Sequence, residues 1–330
     1  MSSENAASYE KIHYLLRPAK NVQRKMMCEA FRRLGKVREL PEYQYVGFGS
    51  MYYGDFILFH KALGIDSMFS IEHEKGADRA NFNRPYECVR VLPGTANEKL
   101  VELNWKDRPA IVWLDYDYGL EKEVLSDVSQ VASNVILNSM LIVTLDASEK
   151  GIKQLRDEDD VEYDFDTESF NRASRAGQIN LKCGTKISEK CDLRDDGIGK
   201  LYQKVVNKQI SAVVNSTRFN SPQLKYHQVF NFRYSDGRDM MTVGGIFVPT
   251  NLQGNSNIAS FGFDALPFCR SKTKPFEIIA PKLTLREIRE MNRSLPCPDA
   301  RKITVPIPEE DKILYERIYR YFPTFTEAEL

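Results

Sequence analysis

The sequence predicts a doubly wound α/β fold, a mostly parallel sheet that ends in an antiparallel hairpin. Three observations carry that expectation. From Tyr43 to about Ser148, strand-like and helix-like segments alternate as βα units do. The runs Ala110–Leu114 and Met140–Leu145 are almost continuously apolar, which suits parallel strands buried on both faces. Later, the β-rich runs Tyr226–Tyr234 and Met240–Val248 flank Ser235-Asp236-Gly237-Arg238-Asp239, and its Asp-Gly marks a hairpin connection.

Taken in order, residues 1–42 read as a basic helical segment whose first ten residues are small, polar and expected to be disordered. After Pro18, Val22, Met26, Ala30 and Leu34 recur at helical spacing, and Gly35 suits the position past the helix end. The other faces carry Lys20, Arg24, Lys25, Arg32 and Arg33, either as a solvated face or as contacts to an anion, with Arg17 and Lys20 best placed for the second role. The main domain spans 43–248. Its first five strand candidates are Tyr43–Phe48, Ser67–Glu72, Cys88–Leu92, Ala110–Leu114 and Met140–Leu145. Helix candidates between them are Tyr53–Leu63, Lys75–Asn81, Asn97–Leu103 and Leu120–Ser133. Residues 149–196 form an acidic insertion, expected to be a solvated or mobile excursion, with a cation site as the other reading. Helical spacing returns in Ile198–Val214, with Leu201, Val205, Ile210 and Val213 on one side. Residues 249–330 form a loop-rich extension with two helices: Thr284 and Glu287 have capping-box spacing, and Glu310–Tyr321 is the last helix.

Composition narrows the class. The 330 residues carry 46 Lys and Arg against 46 Asp and Glu, so no global field attracts polyanions. No run of about 18 apolar residues predicts a membrane span, and no apolar stretch near the start predicts a secretory signal. Six scattered cysteines without a C-x-x-C pair fit reduced thiols and a cytoplasmic location. The histidines show no metal-ligand spacing, so no metal is expected.

In an open parallel sheet the carboxyl ends of the strands face one crevice. The first strand ends in Gly47-Phe48-Gly49-Ser50 and opens a helix, an arrangement that brings backbone N–H groups and a positive helix end to a ligand. The second ends at Glu72, a carboxylate able to hold a ribose diol. The third leads into Gly94-Thr95-Ala96-Asn97, short polar residues suited to an adenine edge. The fourth ends in Asp115-Tyr116-Asp117-Tyr118 and the fifth in Asp146. Asp115 follows four apolar residues, where a carboxylate is costly unless solvated or paired.

In this order the parts resemble the class I S-adenosylmethionine-dependent methyltransferases, whose seven-stranded sheet ends in an antiparallel hairpin. The resemblance covers about residues 43–146 and rejoins at 198–248. It implies S-adenosylmethionine as cofactor, with Gly47 and Gly49 lining the methionine moiety and Glu72 on the ribose. It places Thr95, Ala96 and Asn97 near the adenine, and Asp115 at the amino-acid end or the reacting methyl. Two departures stand out. The acidic residue usual two places before the first glycine is Tyr45, and Ser50 and Met51 follow where a third glycine is expected. With Ser50 in the loop, Lys20 and Asp55 become candidates to complete the methionine end.

Asp115, Asp117 and Tyr118 are the catalytic candidates, a carboxylate orienting the acceptor or taking its proton. The fourth tip is similar in spacing to the D-P-P-Y motif of amino-methylating nucleic-acid enzymes, with Asp115 and Tyr118 at the outer positions and Tyr116 and Asp117 replacing both prolines. The basic helix and the aromatics Tyr52, Tyr53, Tyr116 and Tyr118 make RNA or DNA one acceptor class; the balanced charge weighs against it, and small molecules or proteins stay open. Three other readings compete: a small-molecule O-methyltransferase, a degenerate methyltransferase fold kept as a binding or scaffolding module, and an NAD-type dehydrogenase. The last would need a glycine where Tyr52 stands.

Overall fold

The computed structural model describes residues 17–155, 163–188, 190–217, 223–250 and 258–324. The two most apolar runs take the middle of its sheet, where β4 (Ala110–Asp115) and β5 (Met140–Asp146) pair in parallel. Outward on one side lie β1 (Gln44–Gly47), β2 (Ser67–Glu72) and β3 (Val89–Pro93), all parallel. On the other side lies the hairpin of β6 (Leu224–Ser235) and β7 (Asp239–Pro249), with β7 antiparallel to β5. Among the described residues the sheet has eight strands in the order β3-β2-β1-β4-β5-β7-β6-β8, one more than the seven expected. β8 (Phe276–Ile278) pairs parallel with β6 and lies in the stretch read as loop, because three residues are too few to show an alternation.

The helices are α1 (Pro18–Arg32), α2 (Gly54–Leu63), α3 (Glu74–Asn83), α4 (Ala96–Glu102) and α5 (Lys122–Asn134). Then come α6 (Glu149–Lys153), α7 (Thr167–Arg172), α8 (Arg175–Cys183), α9 (Gly197–Thr217) and α10 (Ile258–Phe261). The extension ends with α11 (Leu285–Ser294), opened by the expected Thr284–Glu287 capping box, and α12 (Glu309–Ile318). Among the described residues no helix is long and apolar enough to cross a membrane.

Strand alternation divides the core between the two faces of the sheet. Tyr45, Ile111, Trp113 and Ile142 pack with the apolar residues of α1 and α2, including Val22, Met26, Phe31, Phe56 and Phe59. Val46, Val112, Leu114 and Val143 pack with Leu100 of α4, Val124 and Val128 of α5, and Tyr202, Val206 and Ile210 of α9. The buried face of α9 is thus turned from the one its spacing suggested, since Val205 and Val213 are only partly buried. Leu34 is buried as expected, although Gly35 lies inside a 3-10 turn, Arg33–Lys36, instead of past the helix end.

The insertion is more than a solvated excursion. Ile152, Phe170 and Ile179 are buried, and Lys182 Nζ donates to Glu121 Oε1 at 3.0 Å with both side chains almost fully enclosed. Single apolar residues spaced among acids do not read as an amphipathic face. The acidic run at 156–162 lies outside the described residues, as do residues 1–10.

Two contacts fix α1 against the carboxyl ends of the strands. Asp236, in the hairpin turn, accepts from Lys20 N at 2.8 Å and so satisfies one of the orphan amides of a helix whose N-cap, Arg17, provides no capping hydrogen bond. A buried polar chain then runs from Gln23 Nε2 to Thr242 Oγ1, on to Thr144 Oγ1 at 2.7 Å, and to Trp113 Nε1, which donates to Thr144 at 2.9 Å. Asp236→Ala is therefore expected to lower stability by about 1 kcal/mol, the usual cost of a lost cap, measured by urea unfolding.

Candidate functional site

The tips of β1, β2 and β4 meet the first turns of α1 and α2 in one polar cluster. At its centre Lys20 Nζ lies 2.5 Å from Asp115 Oδ1 and 3.1 Å from Tyr234 Oη. The ammonium also sits 4.5 Å from the centre of the Trp113 ring, a cation–π contact. Burial brings the Lys20 pKa down to about 8; Asp115 opposes that shift and Arg24 adds to it. The helix expected to be solvated or anion-contacting therefore turns Lys20 and Arg24 inward, at 4% and 8% exposure. Apolar spacing identified the buried stripe, but not that long cations beside it would fold into the sheet edge.

Asp55, in the first turn of α2, accepts from Tyr45 Oη and is buried. A carboxylate thus stands at the first tip after all, carried by α2 and bridged to the position where Tyr45 replaces the usual acid. Burial raises its pKa, and the Arg24 charge works against that rise. Arg24 Nε and Nη1 are enclosed and have no hydrogen-bond partner among the described residues.

The glycine loop and Glu72 form one unit. Gly49 N donates to Ser70 Oγ at 2.9 Å, Ser70 Oγ donates to Glu72 Oε1 at 2.6 Å, and Ser50 N donates to the same oxygen at 2.8 Å. Burial raises the Glu72 pKa, and these donors oppose the shift. A Cβ on Gly47 would meet Tyr45 Oη at 2.7 Å, and one on Gly49 would meet Ser70 Oγ at 2.7 Å. The missing side chains make room first for protein atoms. Ser50 and Tyr53 both have φ of 50°, a left-handed conformation that favours glycine.

The remaining candidates lie around this cluster. Thr95 is an N-cap whose hydroxyl and amide are used by the Glu98 capping box, Ala96 is half-buried, and Asn97 accepts from Ser126. Asp117 is exposed, and the half-buried Tyr118 packs 5.2 Å from Tyr116. Tyr116 and Tyr53 are themselves buried, with Tyr116 Oη donating to Asp127 at 2.7 Å and Tyr53 Oη to Ala80 O. Asp146 is buried and paired with Arg238 at 3.0 Å. Sequence reasoning missed Ser70, Trp113 and Tyr234 as members of the site and named Arg24 only as part of the basic helix. Among the described residues no group of three or more His, Cys, Asp or Glu could hold a metal ion. Two clefts lie elsewhere: one of about 290 Å³ at the amino ends of β2 and β3, lined by Asp66, Cys88 and Arg108, and one of about 420 Å³ beside α11.

A family model described as "Putative O-methyltransferase" matches residues 12–330. None of the curated proteins matches the chain. Solved structures similar to it include a putative hemolysin from Lactococcus lactis, 12% identical, covering 76% of this chain and 97% of its own, with a TM-score of 0.42. Another is the O-methyltransferase TomG from Streptomyces achromogenes in complex with SAM, 12% identical, covering 67% and 79%, with a TM-score of 0.35. A third is a LepI variant in complex with SAH and a substrate analogue, 10% identical with a TM-score of 0.33; the match covers 62% of this chain and 43% of that one.

A carboxylate whose folded pKa lies above its unfolded one is least unfavourable in acid. The stability Glu72 confers is fullest below its ordinary value of 4.5 and declines as pH rises towards the folded value. Glu72→Gln, which keeps an acceptor for Ser50 and Ser70, should have a Tm at or above that of the unsubstituted protein near pH 7. Thermal melts across about pH 4 to 7 should show that advantage shrink as the pH falls.

Proposed function

We propose that this chain, which belongs to the family described as "Putative O-methyltransferase" and has a class I methyltransferase-like fold, binds S-adenosylmethionine at the tips of β1, β2 and β4 and methylates a hydroxyl there. The observation that carries the site assignment is the buried Arg24 guanidinium beside Lys20, Asp55 and Asp115, whose Nε and Nη1 have no hydrogen-bond partner. Enclosed N–H groups without acceptors are unfavourable, and a carboxylate is the group a guanidinium binds best. The residues present fit the cofactor: Arg24 would meet its carboxylate, Asp55 its amino group, and Glu72 its ribose hydroxyls. Gly47, Gly49 and Ser50 form the floor beneath the methionine moiety, and Ala96 and Asn97, with Thr95 capping their helix, stand near the adenine.

Bound there, S-adenosylmethionine supplies a methyl group on a sulfonium. The protein's part is to align the acceptor, since positioning supplies much of the barrier reduction in such a transfer. Asp115, with its side chain 24% exposed, is the carboxylate best placed to orient a hydroxyl, and Asp117 and Tyr118 form the rim beside it. Of the groups that favoured a nucleic-acid acceptor, Lys20 and Arg24 point inward and Tyr53 and Tyr116 are buried, while Tyr52, Tyr118 and Arg32 are not. We infer a small acceptor, and a cytoplasmic location in keeping with six free thiols.

Calorimetry and thermal shift test this reading. S-adenosylmethionine and S-adenosylhomocysteine should raise the Tm, and NAD should not. Arg24→Gln should weaken S-adenosylhomocysteine by about 10- to 100-fold, the effect of losing a charged hydrogen bond. A protein indifferent to both adenosyl ligands would overturn the proposal.

A further inference from the structure

A left-handed backbone strains an L-residue as it does not strain glycine, so a non-glycine residue held there calls for a reason. Two such residues stand in the short connection between β1 and α2, Ser50 and Tyr53, both with φ of 50°. For Tyr53 the reason lies inside the protein. Its ring is buried and meets Phe56 edge-on at 5.3 Å, and its Oη donates to Ala80 O of α3 at 3.0 Å. Ser50 has no such anchor. It is half-buried, and its hydroxyl oxygen receives one long contact, from Tyr52 N at 3.5 Å. Among the described residues nothing accepts the Ser50 O–H. Glycine at this place would relieve the strain, yet the loop carries a hydroxyl.

The amides around it are already used. Gly49 N donates to Ser70, Ser50 N to Glu72, Tyr52 N to Ser50 itself, and Tyr53 N to Gly49 O at 2.9 Å. The 2.8 Å bond from Ser50 N to Glu72 Oε1 sets the serine beside the carboxylate assigned above to the ribose. An ionised carboxylate only accepts hydrogen bonds. It can satisfy the O–H groups of a diol, but not the lone pairs on the diol's oxygens. That half of the recognition needs a donor.

Resting on the cofactor reading above, we propose that the Ser50 hydroxyl donates to a ribose hydroxyl oxygen, at the ribose end of the floor that the loop forms. Glu72 then recognises the hydrogens of the diol and Ser50 one of its oxygens. Ser50 is thereby a specificity-determining residue for a ribosyl over a deoxyribosyl ligand, since a site built to bond a hydroxyl rejects the analogue that lacks it. Its strained backbone is kept for binding at the expense of stability.

Two substitutions separate the hydroxyl from the strain. Ser50→Gly removes both, and Ser50→Ala removes only the hydroxyl. In the ligand-free protein, Ser50→Gly should raise the Tm by about 1–3 °C, and Ser50→Ala should leave it within about 1 °C. Calorimetric titration should show both variants binding S-adenosylhomocysteine about 3- to 10-fold more weakly, the effect of one neutral hydrogen bond. The 2′-deoxy and 3′-deoxy forms of that ligand complete a double-mutant cycle. For one of them, the affinity lost relative to S-adenosylhomocysteine should be smaller in Ser50→Ala than in the unsubstituted protein, by about threefold or more. A Ser50→Gly protein with an unchanged or lower Tm would show that the fold itself holds this side chain. Unchanged affinity in Ser50→Ala, or equal losses in both proteins for both deoxy ligands, would show that the hydroxyl does not touch the ribose. Each of these results overturns the inference and leaves the cofactor reading standing; failure to bind S-adenosylhomocysteine at all would instead overturn that reading.

Discussion

The structure depends on how two buried cations of α1 are compensated. Desolvating an ammonium costs several kcal/mol unless opposite charge and hydrogen bonds surround it. Lys20 finds Asp115 and the face of Trp113, both on β4, and Tyr234 on β6. Those partners are held in turn by Asp236 at the helix start and by the chain from Gln23 through Thr242 and Thr144 to the Trp113 indole. Arg24, one turn on, leaves its Nε and Nη1 without a hydrogen-bond acceptor. One cation is thus built into the fold, and in the proposed site the other meets the ligand's carboxylate. Local conflict of that kind is expected where function overrides stability.

The second strand tip and the glycine loop share the same logic. The amides of Gly49 and Ser50 are tied to Ser70 and Glu72, so the carboxylate and the loop are positioned together. The left-handed Ser50 and Tyr53 add strain that this network sustains. Burial, which raises the Glu72 and Asp55 pKa values, also strengthens any hydrogen bond those carboxylates make once a ligand replaces water around them.

Much of the fold was legible because burial on both faces writes continuous apolar runs. β4 and β5 show it, and the Asp-Gly of the hairpin was equally plain. β8 was hidden by its three-residue length, and the docking of the insertion by isolated anchors such as Phe170. At the site, Glu72 and Asp115 were readable as acids closing apolar strands. Tyr45 was readable as a departure and Asp55 as a candidate, but the bond between them was not, because it needs the turn that carries α2 back across β1. The inward cations were unreadable for a simpler reason: helical spacing assigns the apolar stripe and says nothing of where a four-carbon stem beside it will end.

The central claim is that the tips of β1, β2 and β4, with Arg24, form the cofactor site. A crystal structure of the S-adenosylhomocysteine complex tests it most directly. The account predicts the ligand's ribose on Glu72 and its carboxylate on the Arg24 guanidinium. A ligand seated in the cleft at the amino ends of β2 and β3, or at the strand tips with Arg24 still unpartnered, would contradict it.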